Sequence, residues 1–267
     1  MKIYISADIE GITGVTSWSE TEKSAADYGA FAIQMNKEVK AACEGAFLVP
    51  GVKEIWIKDA HDSGRNLDHN EFPLGTKLIR SWAGHPFSMV QGLDESFDAA
   101  IFIGYHSAGG TGFNPLSHSM NAKDVKYIKI NGEYASEFLI HAYAATTMGV
   151  PVVFVSGDKG IIKEVNNVNK YISTLAVKEG IGASTISIHP RKAINDIKEL
   201  VEKCLKDNLD FCNLVLPKKF AVEIEYASHS KAYRLSFYPG VEQISSHLLR
   251  FESTDYFEVL RMILFLT

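Results

Sequence analysis

Lys2-Ile-Tyr-Ile-Ser-Ala-Asp-Ile-Glu-Gly11 is the stretch on which the reading of the fold turns. Residues 2–7 make a near-continuous apolar run, the pattern of a strand buried on both faces. Similar runs follow at residues 54–58, 99–104, 125–130 and 151–156, with helical spacing between some of them at residues 31–48 and 134–148. Apolar strands alternating with helices predict an α/β fold: a mostly parallel sheet with helices on both faces. Beyond about residue 160 the pattern changes to an amphipathic helix at 190–207, an alternating strand at 220–227 and a closing helix at 254–266. The expected organisation is an α/β domain over residues 1–160 and a smaller α+β portion over 161–267.

Composition narrows the class. The chain has 267 residues, 46% apolar and 22% charged, which excludes disorder, collagen-like repeats and coiled coil. A chain this long buries a proper core without disulfide staples. Lys and Arg number 27 against 32 Asp and Glu; a net charge of −5 without long basic runs predicts no nucleic-acid or membrane partner. The apolar opening is too short for a signal peptide, and no run approaches the roughly 18 apolar residues of a membrane span. Cys43, Cys204 and Cys212 are odd in number and form no Cys-x-x-Cys pair, as expected of reduced thiols in a cytoplasmic protein.

Three of the predicted strands end in potential metal ligands. Residues two apart in an extended chain point to the same side, so Asp8 and Glu10 can converge, and Gly11 lets the chain turn away. The second strand runs into Ala60-His61-Asp62 and the third into His106. Ligands of open α/β sheets bind beyond the carboxyl ends of the strands. Asp8, Glu10, His61 and His106 share that edge if the three strands are parallel neighbours. Each residue alone is more often a solvated or hydrogen-bonded loop residue than a ligand. Carboxylates and imidazoles coinciding at one edge make a metal site an equal alternative to that reading.

Residues 105–122 read YHSAGGTGFNPLSHSMNA, with neither helix nor strand pattern. Loops longer than about 12–15 residues in compact domains are usually functional or disordered, and the two histidines here favour function. The Gly-Gly-Thr-Gly within it lacks the helix and spacing of a dinucleotide loop, so nucleotide cofactors are unsupported. A further ligand is expected from the helix near residue 137. Glu133, Glu137 and His141 lie four apart and share a face if the helix begins by Glu133; Glu133 and His141 read as capping and structural. Two divalent ions carry +4 against −3 from Asp8, Glu10 and one helix glutamate. That excess positive charge favours ionised water, which a hydrolase needs at neutral pH.

With these residues in place, the chain resembles the D-aminopeptidases of the bacterial dipeptide-transport operon, a family of dinuclear zinc metallopeptidases. The resemblance runs from about residue 3 to 160. It rests on Ser6-Ala7-Asp8-Ile9-Glu10-Gly11, Asp59-Ala60-His61-Asp62, and Pro86-Phe87-Ser88-Met89-Val90 with Gly92-Leu93-Asp94. It continues through Gly104-Tyr105-His106, Leu116-Ser117-His118-Ser119-Met120, and Ile130-Asn131-Gly132 to Glu137. The resemblance implies two zinc ions per chain bridged by Asp8, one site completed by Glu10 and His61, the other by His106 and a helix glutamate. Counting along the motif places that glutamate at Glu137; the family often has Gly before it where this chain has Ser136, which keeps Glu133 as the alternative. His118 corresponds to the active-site histidine, as nucleophile or acid/base, where the residues alone read as a backbone-bonded loop histidine.

The implied activity is a zinc-dependent aminopeptidase that removes an N-terminal D-residue from short peptides, with residues 1–160 as the metal-binding catalytic domain. The implied assembly is a homo-oligomer, a ring-like decamer that admits only small or unfolded peptides. Two other classes use the same residues. One is a metal-dependent amidohydrolase acting on a non-peptide amide. The other is a non-catalytic metal-binding protein, against which His118 and the long loop argue.

Overall fold

The computed structural model describes residues 1–267. The opening run is strand β1 (Lys2–Ala7), followed by helix α1 (Tyr28–Phe47), β2 (Glu54–Asp59), β3 (Thr76–Ile79) and β4 (Ala99–Tyr105). Then come β5 (Val125–Ile130), β6 (Glu133–Tyr134), α2 (Glu137–Thr147), β7 (Val152–Asp158) and α3 (Lys159–Val168). Next are β8 (Ser173–Ile181), β9 (Ser184–Ser187), α4 (Pro190–Cys204), β10 (Phe220–Tyr226) and α5 (His229–Leu235). The chain closes with β11 (Val241–Gln243), β12 (Leu248–Ser253) and α6 (Tyr256–Leu266). No helix is long and apolar enough to cross a membrane.

Seven strands form the main sheet in the order β3-β2-β1-β4-β7-β8-β9, parallel throughout except for the antiparallel β8–β9 hairpin. The near-continuous burial of β1, β4 and β7 is what a sheet covered on both faces requires. Helices flank it. Helix α1 packs on β1, β4 and α4, so closely that a Cβ on Gly45 would lie 2.3 Å from the Lys198 carbonyl oxygen. Helix α2 packs on β4, α3 and α6. The register sets Ala7 beside Asp59 on one side and Ile103 on the other, so β1, β2 and β4 end together. The condition for a shared edge is met.

Residues 125–130 do not join that sheet. Strand β5 pairs antiparallel with β10 and β6 in a second sheet of order β11-β12-β10-β5-β6. Strand β5 is less fully buried than β1, β4 or β7, with Lys126 exposed and Tyr127 and Lys129 half-buried, as an antiparallel strand with a partly open face allows. Sheet membership also crosses residue 160 in both directions. Strands β8 and β9 extend the main sheet, while β5 and β6 belong to the second. One continuous apolar core runs from Ile3 to Leu266 through both sheets.

Candidate metal centre and active site

Asp8 and Glu10 follow β1, His61 follows β2, and His106 follows β4. The backbone keeps its pairing beyond β1, with Asp8 N–H donating to the Ile103 carbonyl at 2.9 Å and Gly11 N–H to that of Gly104 at 2.8 Å. Glycine at position 104 is required twice over. Its φ is +73°, and a Cβ would fall 2.3 Å from the Asp8 carbonyl oxygen. That close crossing brings the ligands of neighbouring strands together.

Two groups of donor atoms result. His61 Nδ1 lies 3.3 Å from Asp8 Oδ1 and 3.0 Å from Glu10 Oε2. His106 Nε2 lies 3.5 Å from Asp8 Oδ2 and 3.3 Å from Glu137 Oε2. The two oxygens of Asp8 thus face different groups, as a bridging carboxylate must. Donors about 2.0–2.1 Å from a tetrahedral zinc stand about 3.3–3.4 Å apart, and the observed separations of 3.0–3.5 Å bracket that spacing.

The hydrogen-bond pattern says the same. His61 Nε2 is 2.9 Å from the Thr21 carbonyl, His106 Nδ1 is 3.0 Å from that of Ser107, and His118 Nδ1 is 2.9 Å from that of Leu116. Each imidazole commits one N–H to a backbone carbonyl and turns its other nitrogen towards the carboxylates, the tautomer control expected of ligating histidines. Asp8 Oδ2, Glu10 Oε2 and His106 Nε2 are buried without any hydrogen-bond partner. The 3.0 Å approach of His61 Nδ1 to Glu10 Oε2 lacks the geometry of a hydrogen bond. Such orphaned atoms are costly in a folded protein unless something binds them. Nitrogen and carboxylate donors in this arrangement fit divalent zinc.

Without a cation the cluster binds protons instead. Burial disfavours the charged form of His106, but Glu137 outweighs it and holds the imidazole up at about 10. His61 is raised in the same way, burial being outweighed by Glu10 and Asp8. Burial and then Glu10 push Asp8 well above the usual carboxylate range. Glu137, despite its burial, is held down at about 2 by His106. His118 goes the other way: burial, followed by repulsion from His106, lowers it.

His118 stacks on His106 with ring centroids 4.3 Å apart, and the Trp18 indole meets it edge-on at 5.4 Å. Its Nε2 lies 3.6 Å from Glu137 Oε1, an oxygen that also accepts from Met120 N–H at 2.7 Å. Beyond Tyr105, which ends β4, residues 106–122 have no helix or strand. This loop delivers His118 to a cavity of about 890 Å³, whose lining includes Asp8, Glu10, His61 and Glu137, with His106 buried behind it. Leu260 and Ile263 of α6 also line the cavity. Trp82 is fixed at the rim, its indole N–H donating to the Asp62 carbonyl at 2.6 Å with the Lys58 ammonium 3.8 Å over its ring.

Of the residues singled out from sequence, Asp8, Glu10, His61, His106, Glu137 and His118 come together. Glu133 does not: it lies exposed in β6, outside α2, which begins at Glu137 with Ser136 as its N-cap. His141 lines the cavity but its ring is engaged, with Nδ1 2.7 Å from the Glu137 carbonyl and Nε2 accepting from Met89 N–H at 3.4 Å. Burial lowers it to about 4, so it stays neutral and braces α2. Sequence reasoning missed Asn114, Asp158 and Lys178, which lie beneath the cluster. Nothing in their spacing marks them, because they act on backbone groups.

Fold and site together define an α/β enzyme with the donor set of a metallohydrolase. A sequence model of the D-aminopeptidase family matches residues 1–265, and the chain belongs to that family. It is 30% identical over 269 residues to a D-aminopeptidase of Bacillus subtilis (strain 168), an alignment that covers 100% of this chain and 97% of the relative. A solved structure described as the Zn-dependent D-aminopeptidase DppA from Bacillus subtilis, a self-compartmentalizing protease, superposes with a TM-score of 0.92 at 30% identity. That superposition covers 100% of this chain and 96% of the other. The chain is thus an aminopeptidase, and the reading as an amidohydrolase of non-peptide amides is set aside.

Proposed function

We propose that this chain binds two zinc ions and removes the N-terminal D-residue from short peptides. The observation that carries the reading is the pair of donor groups sharing Asp8, with buried atoms on Asp8, Glu10 and His106 that nothing in the protein satisfies. Asp8, Glu10 and His61 would hold one ion, and Asp8, His106 and Glu137 the other. Zinc, when bound, supplies a Lewis acid for the scissile carbonyl and acidifies water.

The protein's own groups handle the proton. His118 keeps Nδ1–H on the Leu116 carbonyl, so its free nitrogen is Nε2, which faces the cluster. Burial disfavours the protonated form of that imidazole, which leaves Nε2 able to accept a proton and pass it to the departing amine. Glu137 Oε1 stands beside it and stabilises the imidazolium that forms. Trp18 covers the outer edge of the ring and limits water there. Asp62 and Glu22 on the cavity wall give a substrate ammonium a negative surround, while Lys123 lines the same cavity and suits a carboxylate.

A homo-oligomer accompanies this reading, and the decamer implied by the resemblance is its expected form. Tyr233 and Phe237 pack together in the open, 60% and 72% exposed, and Phe265 is 63% exposed beside Tyr238. Exposed aromatic surface of this kind marks contact faces. The cytoplasm is the expected location, where the free thiols of Cys43, Cys204 and Cys212 stay reduced.

The test is His118→Ala, assayed for turnover of D-Ala-D-Ala with zinc per chain measured in the same preparation. The reading expects both ions retained and turnover down by about 10²–10⁴-fold. Near-wild-type turnover with full metal would remove His118 from the mechanism. Loss of metal would make it a ligand.

A further inference from the structure

Lys178 sits in β8, far along the chain from the donor cluster, and is 3% exposed. A lysine that deeply buried needs partners, and its partners are backbone carbonyls of the ligand turn. The ammonium donates to the carbonyl of Glu10 and, at 2.6 Å, to that of Val15. It therefore ties together the two ends of the turn that follows β1.

The same Glu10 carbonyl accepts from Asn114 Nδ2 at 3.1 Å, and that amide also donates to Asp158 Oδ2 at 3.0 Å. Asp158 Oδ2 in turn accepts the N–H of Ser107, the residue after His106, at 2.7 Å. The rest of the β8–β9 hairpin grips the same segments. Ser187 Oγ accepts from Gly14 N–H at 3.2 Å, and Thr185 Oγ1 meets Thr16 Oγ1 at 2.5 Å. Gly180 N–H donates to the Phe113 carbonyl at 2.8 Å, inside the loop that carries His118.

We infer that Lys178 is a positioning residue for the Glu10–His61 half of the metal site, with the β8–β9 hairpin as the brace that holds both ligand-bearing segments in register. The chemistry is specific to that half. Lys178 fixes the backbone from which the Glu10 carboxylate projects, while His106 and Glu137 are held through Ser107 and the Ser136 cap. Removing the ammonium leaves the Glu10 carbonyl on Asn114 alone, releases that of Val15, and loosens one donor group while leaving the other. Loss of a partner that orients a ligand typically lowers metal affinity about 10–100-fold.

The inference rests on the two-zinc reading, and the experiment separates the two. Zinc affinities of wild type, Lys178→Met and Ser187→Ala are measured by chelator competition, with melting temperatures of the metal-free proteins alongside. The expected result is two zinc ions in wild type, and in Lys178→Met one site weakened about 10–100-fold with the other within a few-fold of wild type. Ser187→Ala leaves the buried charge in place and is expected to weaken the same site by a smaller factor; it carries the test if Lys178→Met does not fold. Unchanged affinities, or both sites weakened equally alongside a lowered melting temperature, overturn the positioning role and leave the two-zinc reading standing. A wild type that binds fewer than two ions overturns both.

Discussion

Two glutamates four residues apart compete for one role, and a helix boundary decides between them. Ser136 accepts from Leu139 N–H at 3.2 Å and starts α2, so Glu137 is the first residue inside the helix and points into the cluster. Glu133 is exposed in β6. Glu137→Gln is therefore expected to lower zinc from about two to about one per chain, since a neutral amide is a poorer zinc ligand than a carboxylate. Glu133→Gln should leave the count at wild type, and elemental analysis of both variants checks it; the reverse pattern would make Glu133 the ligand. At this scale the clustering of these side chains was legible, because Asp8 and Glu10 two apart on one strand, and histidines just past two others, are side-chain signals. The carbonyls of Thr21, Ser107 and Leu116 that fix the imidazoles were not legible, because a backbone carbonyl leaves no mark in sequence. Lys178 was hidden for a related reason: a lysine in a strand reads as a solvated residue.

At the scale of elements, the strands around the site follow the apolar runs closely, and the misreadings have physical causes. Strand β5 carries Lys126 and Lys129 among its apolar residues and is only partly buried, unlike the strands of the main sheet. Helix α3 escaped notice because it is short and follows β7 directly, with Asp158 both ending the strand and capping the helix by accepting Ile161 N–H at 2.9 Å. This helix carries a pH-sensitive link to the site. Glu164 accepts a hydrogen bond from Ser136, the cap of α2, at 2.7 Å, and burial raises its carboxyl to about 7. A carboxyl whose folded pKa lies above its unfolded value of about 4.3 contributes stability below that value and loses it as pH rises through about 7. Wild type is expected to lose on the order of 1–3 kcal/mol from this group between about pH 4.5 and 7. Glu164→Gln should flatten that part of the profile and melt higher than wild type at pH 8. Melting curves at saturating zinc across pH 5–8 test this, and parallel profiles for the two proteins would contradict it.

For the whole molecule, the site depends on parts that sequence assigned to a separate C-terminal portion. The β8–β9 hairpin braces the ligand turn from beneath, and α6 lines the cavity with Leu260 and Ile263. Long-range pairing of this kind is invisible to a reading made run by run, which is why a division near residue 160 looked natural and the sheets cross it. The central claim remains that Asp8, through its two oxygens, joins two metal-binding groups into one centre. Zinc per chain in metal-replete wild type and in Asp8→Ala, measured on the same protein concentrations, tests it most directly. The account predicts about two ions in wild type and loss of both in the variant, because the shared carboxylate holds two cations together against their repulsion. A single ion per wild-type chain, or an Asp8→Ala protein that keeps both, would contradict it.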